Sequence, residues 1–178
     1  MSCAGISSCA VMQGEPGSLS MDDVRLLAAD DWAELRAARL AALTEAPYAF
    51  SSTLAREQGF TEQTWRDRAG SGRTFAALDG DTIVGLATGL PEDGQWQLVG
   101  MWVSPKVRGT GIADRLVAAV CELARQSGFT SVTLWVTEVN DRARAFYLRL
   151  GFAPTGGRQL VRPDAPDNWE EELRLCIT

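Results

Sequence analysis

The chain has no histidine, and its four cysteines, Cys3, Cys9, Cys121 and Cys176, include no Cys-x-x-Cys pair. Zinc is therefore short of ligands, and no metal is expected. Each cysteine reads as an ordinary small apolar residue. Long apolar runs are missing too: nothing reaches the roughly 18 consecutive residues of a membrane span. The first 24 residues carry neither lysine nor arginine, so a secretory signal would lack its charged start, and a cytoplasmic location is expected. Basic charge is scarce overall. With 17 lysines and arginines against 23 acids the net charge is −6, which argues against nucleic acid or a membrane surface as partner, because neutralising phosphates needs a basic field.

What is present is enough for one domain. A chain of 178 residues, 46% of them hydrophobic, can bury one substantial core. The charge is unevenly spread: residues 100–152 sum to +3 and the remainder to −9. An anionic ligand would prefer the middle segment, and the acidic remainder hints at a cationic partner. Residues 1–20, rich in serine, glycine and cysteine without periodicity, read as a disordered extension ahead of a domain spanning 21–178.

Within that domain, Asp22 to Ala28 reads as a strand, and Asp30 or Asp31 can cap a helix reaching about Leu43 and ended by Pro47. Two short helical pieces follow, Ser52 to Gln58 and Thr61 to Ala69. The runs Thr74 to Leu78 and Thr82 to Leu90 flank Asp79-Gly80, a hairpin signal, and Gln95 to Val103 adds a third strand. Ile112, Leu116, Val120 and Leu123 recur at helical spacing, so a helix should run from about Gly109 to Gln126 and stop at Gly128. Val132, Leu134 and Val136 alternate on a strand. Asn140 or Asp141 can cap a short helix with apolar Ala143, Phe146, Tyr147 and Leu150, ended by Gly151. A last strand puts Trp169, Glu171, Leu173, Leu175 and Ile177 on one face. The order βααβββαβαββ implies an α/β domain: a mixed, mostly antiparallel sheet of six to seven strands with helices on both faces.

The stretch VSPKVRGTGIADRL is where the chemistry concentrates. A glycine turn opening a helix presents N–H groups without intrahelical partners, and the peptide dipoles add positive potential there. Gly109 and Gly111 let a ligand approach the main chain, and Lys106 and Arg108 add charge beside it. The same glycines could simply turn strand into helix. A Walker loop would need Lys-Ser/Thr after Gly111, where Ile112 and Ala113 stand. A dinucleotide fingerprint would need glycine or alanine where Asp114 stands.

LVGMWVSPKVRGTGIADRL resembles motif A of the GNAT superfamily of N-acetyltransferases: a strand, V-x-P, then R/Q-x-x-G-x-G/A opening a helix, here Arg108, Gly111 and Ala113. NDRARAFYLRLGF is similar to motif B, N-x-x-A-x-x-F-Y-x-x-x-G-F, with Asn140, Ala143, Phe146, Tyr147, Gly151 and Phe152 in place. The resemblance covers roughly residues 22–177 and is sharpest over 98–153. It implies an acyltransferase moving acetyl from acetyl-CoA, bound where two parallel strands splay, to a primary amine of a small molecule or peptide, by direct attack in a ternary complex. Met101, Trp102 and Val103 would meet the pantetheine arm and thioester. The amides of Arg108, Gly109, Thr110, Gly111, Ile112 and Ala113 would hold the pyrophosphate, Asn140 would bond the pantetheine or cap its helix, and Tyr147 would be the general acid. Gly100 marks a bulge or close backbone approach on the same strand.

The general base departs from the family pattern, since the positions where relatives carry glutamate hold Gln97 and Trp135. Glu138 is the nearest candidate, with Glu92 and Asp93 behind it. At pH 7, freeing a lysine-like amine costs roughly 4.6 kcal/mol and an α-amine about 1.2, so a low-pKa amine or a relay through water is expected. Pro47, Tyr48, Phe50 and Trp65 form either an acceptor wall or core, with residues 156–168 as the facing loop. A second copy could pair on a C-terminal edge strand as a homodimer. A non-catalytic coenzyme A module, or a Rossmann-type nucleotide binder, are the rival readings.

Overall fold

The computed structural model describes residues 24–177; the expected extension over 1–20 lies outside the described residues. Strand β1 (Val24–Leu26) leads into α1 (Trp32–Glu45), α2 (Leu54–Gln58) and α3 (Glu62–Ala69), then the meander β2 (Thr74–Asp79), β3 (Thr82–Glu92) and β4 (Gln95–Val103). After these come α4 (Ile112–Gln126), β5 (Ser131–Thr137), α5 (Asp141–Arg149), β6 (Ala153–Leu160) and β7 (Trp169–Cys176). The seven strands form one sheet in the order β1-β2-β3-β4-β5-β7-β6. Only β4 and β5 run parallel; every other neighbouring pair is antiparallel.

The alternating strands bury opposite faces under different helices. On one side Ile112, Leu116, Val117, Val120 and Ala124 of α4 pack on Ala77, Val84, Ala87, Leu98, Val132 and Leu134 of the sheet, and each fully buried aliphatic chain contributes roughly 1.5–3 kcal/mol. Leu116 sits so close to β3 that a side chain at Gly85 would meet its Cδ1 at 2.9 Å. On the other side Leu35 and Ala38 of α1 and Trp65 and Ala69 of α3 cover Ala76, Ile83 and Leu86. No helix among the described residues is long and apolar enough to cross a membrane.

Two sequence expectations change in detail. Asp31 stands at the start of α1, but its carboxylate accepts from the Ala28 N–H at 2.7 Å and is gripped by Arg25 at 2.7 and 2.8 Å, not by a helix amide. The facing loop is shorter than 156–168, because Arg158, Gln159 and Leu160 pair with Glu171, Glu170 and Trp169 and so belong to β6.

Candidate functional site

Strands β4 and β5 pair only at Trp96–Val132 and Gln97–Thr133. Beyond those pairs they diverge, for two reasons visible in the registers. β5 is paired along its whole length to β7. β4 bulges against β3: Leu86 faces Trp102 but Thr88 faces Val99, so an extra β4 residue lies between them. Gly100 takes φ +63° there, a conformation costly for any residue with a Cβ. The bulge expected of this glycine is therefore present. Met101, Trp102 and Val103 follow it, with Trp102 and Val103 paired to β3 and no strand on their β5 side.

Below this opening the chain turns through Pro105–Val107 and reaches Gly109 and Gly111, at φ +82° and +84°. Gly111 begins α4 without any side-chain cap, so the first-turn amides of Ile112, Ala113 and Asp114 face outward unpartnered by the helix. A Cβ at either glycine would meet nothing within 4 Å. The cradle has room for a phosphate. Thr110 stiffens the turn by donating to the Val107 carbonyl at 2.7 Å. Asp114 is turned aside, accepting from Arg149 at 2.8 Å.

Arg108 is not the free charge expected beside the cradle. Its Nε donates to the Val103 carbonyl at 2.9 Å and its Nη2 to Glu45 at 2.7 Å, while the Trp102 indole donates to the same Glu45 oxygen at 3.1 Å. Glu45, the last residue of α1, thus ties the cradle loop and β4 to the opposite helix layer.

On the α1 and α3 side of the sheet the opening leads into a cleft of about 1100 Å³. Asn140, Ala143 and Tyr147 reach its wall from α5, beside Gly100, Met101, Val136 and Thr137. Asn140 accepts from the Ala143 N–H at 3.2 Å, which makes it the cap of α5. Tyr147 is buried, edge-on to Phe146 and Phe152, and burial pushes its phenol well above its ordinary value. Its hydroxyl therefore stays protonated at neutral pH.

Glu138 does not line this cleft. Both of its oxygens accept from Arg158, at 2.6 and 3.0 Å, and that pairing lowers its pKa. The carboxylates that do face the cleft include Glu92 and Asp93, as expected, together with Glu170 and Glu172 on β7. Glu170, opposite Thr137 on β5, has its pKa raised by burial, opposed by a 2.8 Å hydrogen bond from Gln159. The sequence reading missed it by following the apolar face of β7. The signal was the other half of that alternation: Glu170 and Glu172 must share the face opposite Leu173. Phe50 and Trp65 line the cleft from within the core, whereas Tyr48 is exposed.

Residues 32–152, more than half of the chain, match the model of the Acetyltransferase (GNAT) family. The chain belongs to that family. Among curated GNAT relatives, N-acetyltransferase 8F1 of Rattus norvegicus is 37% identical over 96 residues, 51% of this chain and 43% of the relative. The match thus spans less than half the length of that relative. A Streptococcus pneumoniae GNAT acetyltransferase superposes with a TM-score of 0.71 at 19% identity, covering 87% of this chain and 98% of the other. A Bacillus anthracis protein assigned as a streptothricin acetyltransferase, solved with acetyl coenzyme A, superposes with a TM-score of 0.53 at 20% identity, over 58% of this chain and 61% of that one. At these identities the structural likeness speaks for the GNAT fold.

Proposed function

We propose that the protein transfers acetyl from acetyl-CoA to a primary amine in a ternary complex. The carrying observation is the opening between β4 and β5, with the uncapped start of α4 on one side and an acid-lined cleft on the other. The amides of Arg108 to Ala113 would hold the pyrophosphate, and Met101, Trp102 and Val103 would present the strand edge to the pantetheine and thioester. Acetyl-CoA supplies an activated acyl carbon. The remaining work falls to the chain.

Glu170 replaces Glu138 as the base in this proposal, because it faces the cleft and has no arginine on it. It takes one proton from the incoming ammonium. The freed amine attacks the thioester carbon, and a backbone N–H near Val103 stabilises the developing oxyanion. As the carbon–sulfur bond breaks, the electron pair goes to sulfur and Tyr147 supplies its proton. The second amine proton leaves through Glu170 or water to solvent, from which Tyr147 is reprotonated. The net products are the amide, free thiol and one proton. Asn140 orients α5, and with it Tyr147, through its cap. The edge of β6 is where a second copy would pair, and no nucleic acid or membrane partner enters the proposal.

The test is thiol release from acetyl-CoA across a panel of amino acids, polyamines, aminoglycosides and peptides. Amine-dependent release that Gly111→Val weakens through KM for acetyl-CoA is expected. Coenzyme A binding without release from any amine would leave only a binding module.

A further inference from the structure

We infer that the acceptor carries a carboxylate as well as an amine, and that Arg39 and Arg73 recognise it within the cleft. The inference rests on the acetyl-transfer reading above for the amine, and on unpartnered donors for the carboxylate.

Arg39 projects from α1 and spends one edge of its guanidinium on Glu57: Nε donates at 3.1 and 3.3 Å and Nη2 at 2.9 Å. Its plane lies 4.5 Å over the Phe50 ring. Glu57, fully buried, is also bonded by Arg68 at 3.0 Å. The guanidinium is thus fixed in orientation. Its remaining nitrogen, Nη1, is buried and has no acceptor. A Cβ at Gly100 would lie 3.8 Å from this Nη1 and 4.0 Å from the Thr88 hydroxyl, so the orphan donor stands at the bulge where β4 leaves β5. Thr88 is 3.0 Å from the Thr74 hydroxyl, and Arg73, the next residue along, has a buried Nε that also lacks an acceptor. Both arginines line the same cleft.

Buried charged donors are seldom left unmatched, because each forfeits its hydration without return. Two in one cleft describe a site for an anion. The Trp65 indole and the Thr137 hydroxyl, likewise buried without partners and lining the same cleft, would serve a polar ligand of any charge, but guanidinium N–H groups select for negative charge. Glu92, Asp93, Glu170 and Glu172 face the same space and would repel a phosphate dianion more strongly than a carboxylate monoanion, which favours a carboxylate. With Glu170 taking the ammonium proton, the cleft fits a zwitterion of the amino-acid class. This reverses the cationic acceptor suggested by the acidic balance outside residues 100–152.

The test uses N-acetylated amino acids with small, acidic and aromatic side chains, which have the carboxylate but no acceptor amine, and their primary amides, titrated into the full chain by calorimetry. We expect at least one acid to bind about tenfold tighter than its amide. Arg39→Lys, which keeps positive charge beside Glu57 but lacks Nη1, and Arg73→Gln, which leaves the Glu57 pair intact, should each reduce that preference. Absence of binding, absence of preference, or a preference unchanged in both variants overturns the inference. Thiol release separates it from the catalytic reading: turnover of amino-acid amides as fast as of amino acids refutes the carboxylate site and keeps acetyl transfer. Carboxylate-selective binding lost in the variants, without release from any amine, keeps the site and refutes acetyl transfer.

Discussion

Neutralising Glu57 should weaken the fold without touching the glycine turn at the start of α4. The carboxylate is fully buried, Arg39 has only 13% of its side chain exposed, and Arg68 has 42%. Burial pushes the Glu57 pKa up, but the hydrogen bonds and charge of Arg39, helped by Arg68, overcome this and hold it below the ordinary glutamate value. In Glu57→Gln, Arg68 can turn to water, whereas Arg39 is left as a buried charge. Breaking one partner of a buried pair costs about 3–5 kcal/mol, and with Arg68 able to relax the lower figure applies. At about 2–4 °C per kcal/mol for a chain of this size, Tm should fall by about 6–12 °C in thermal unfolding followed by circular dichroism. Replacing both members, as Glu57→Leu with Arg39→Met, should recover much of the loss, since no charge is then stranded. A depressed carboxyl stabilises above its unfolded pKa and loses that contribution as pH falls. The wild type should therefore lose its advantage over Glu57→Gln as the solution is acidified below about pH 4. A drop under about 2 °C in the single variant, or a double variant no better than the single, would refute the assignment of Arg39 as a charge dependent on Glu57.

Glu170→Gln should lower kcat by about 10²–10⁴ and flatten the acidic limb of the kcat/KM profile, which in the wild type should lie above the usual glutamate range because the Glu170 pKa is raised; a full-sized limb in the variant would assign it elsewhere. Tyr147→Phe removes the only O–H among the α5 side chains that line the cleft and should cut kcat by about 10² or more with little change in KM for acetyl-CoA, measured by thiol release. Asp31, held down to about 2 by the Arg25 hydrogen bonds, stabilises the domain above its unfolded pKa of about 3.9 and loses that contribution as pH falls toward about 2. Because Arg25 is 46% exposed, Asp31→Asn should cost only about 1 kcal/mol at pH 7 in urea titration, and the difference should shrink as pH falls toward about 2. Gly89→Ala would put a Cβ 2.4 Å from the Trp96 Nε1 and should destabilise by about 1–3 kcal/mol.

Local rules carried the fold because its elements obey them singly. The apolar period of Ile112, Leu116 and Val120, the Asp79-Gly80 turn and the Asn140 cap each specify structure within a few residues, and the motifs around Gly111 and Tyr147 lie in those same segments. Gly100 was legible for a similar reason, since a strand tolerates glycine poorly unless its backbone must bend. The remaining candidate site residues depend on pairing across the chain. Glu170 and Gln159 meet through the β6–β7 register, Arg39 and Glu57 through packing of α1 against α2, and Arg108 with Glu45 across 63 positions. Glu138 was the nearest candidate base because it neighbours Asn140 in sequence, and its pairing with Arg158 comes from β6, 20 positions away. Periodicity names the face a side chain occupies and says nothing about which partner waits there.

The narrow seam between β4 and β5 makes the sheet two panels, four strands and three, joined by pairs at only two positions. Their cohesion must come from the side chains bridging behind the join, among them Trp96 against the Phe129 ring at 5.2 Å and the α4 face laid across Val132 and Leu134. The proposed binding aperture and the mechanical weak line are thus one feature. Trimming the bridging residues should let the panels shift and misalign the gap well before either panel melts.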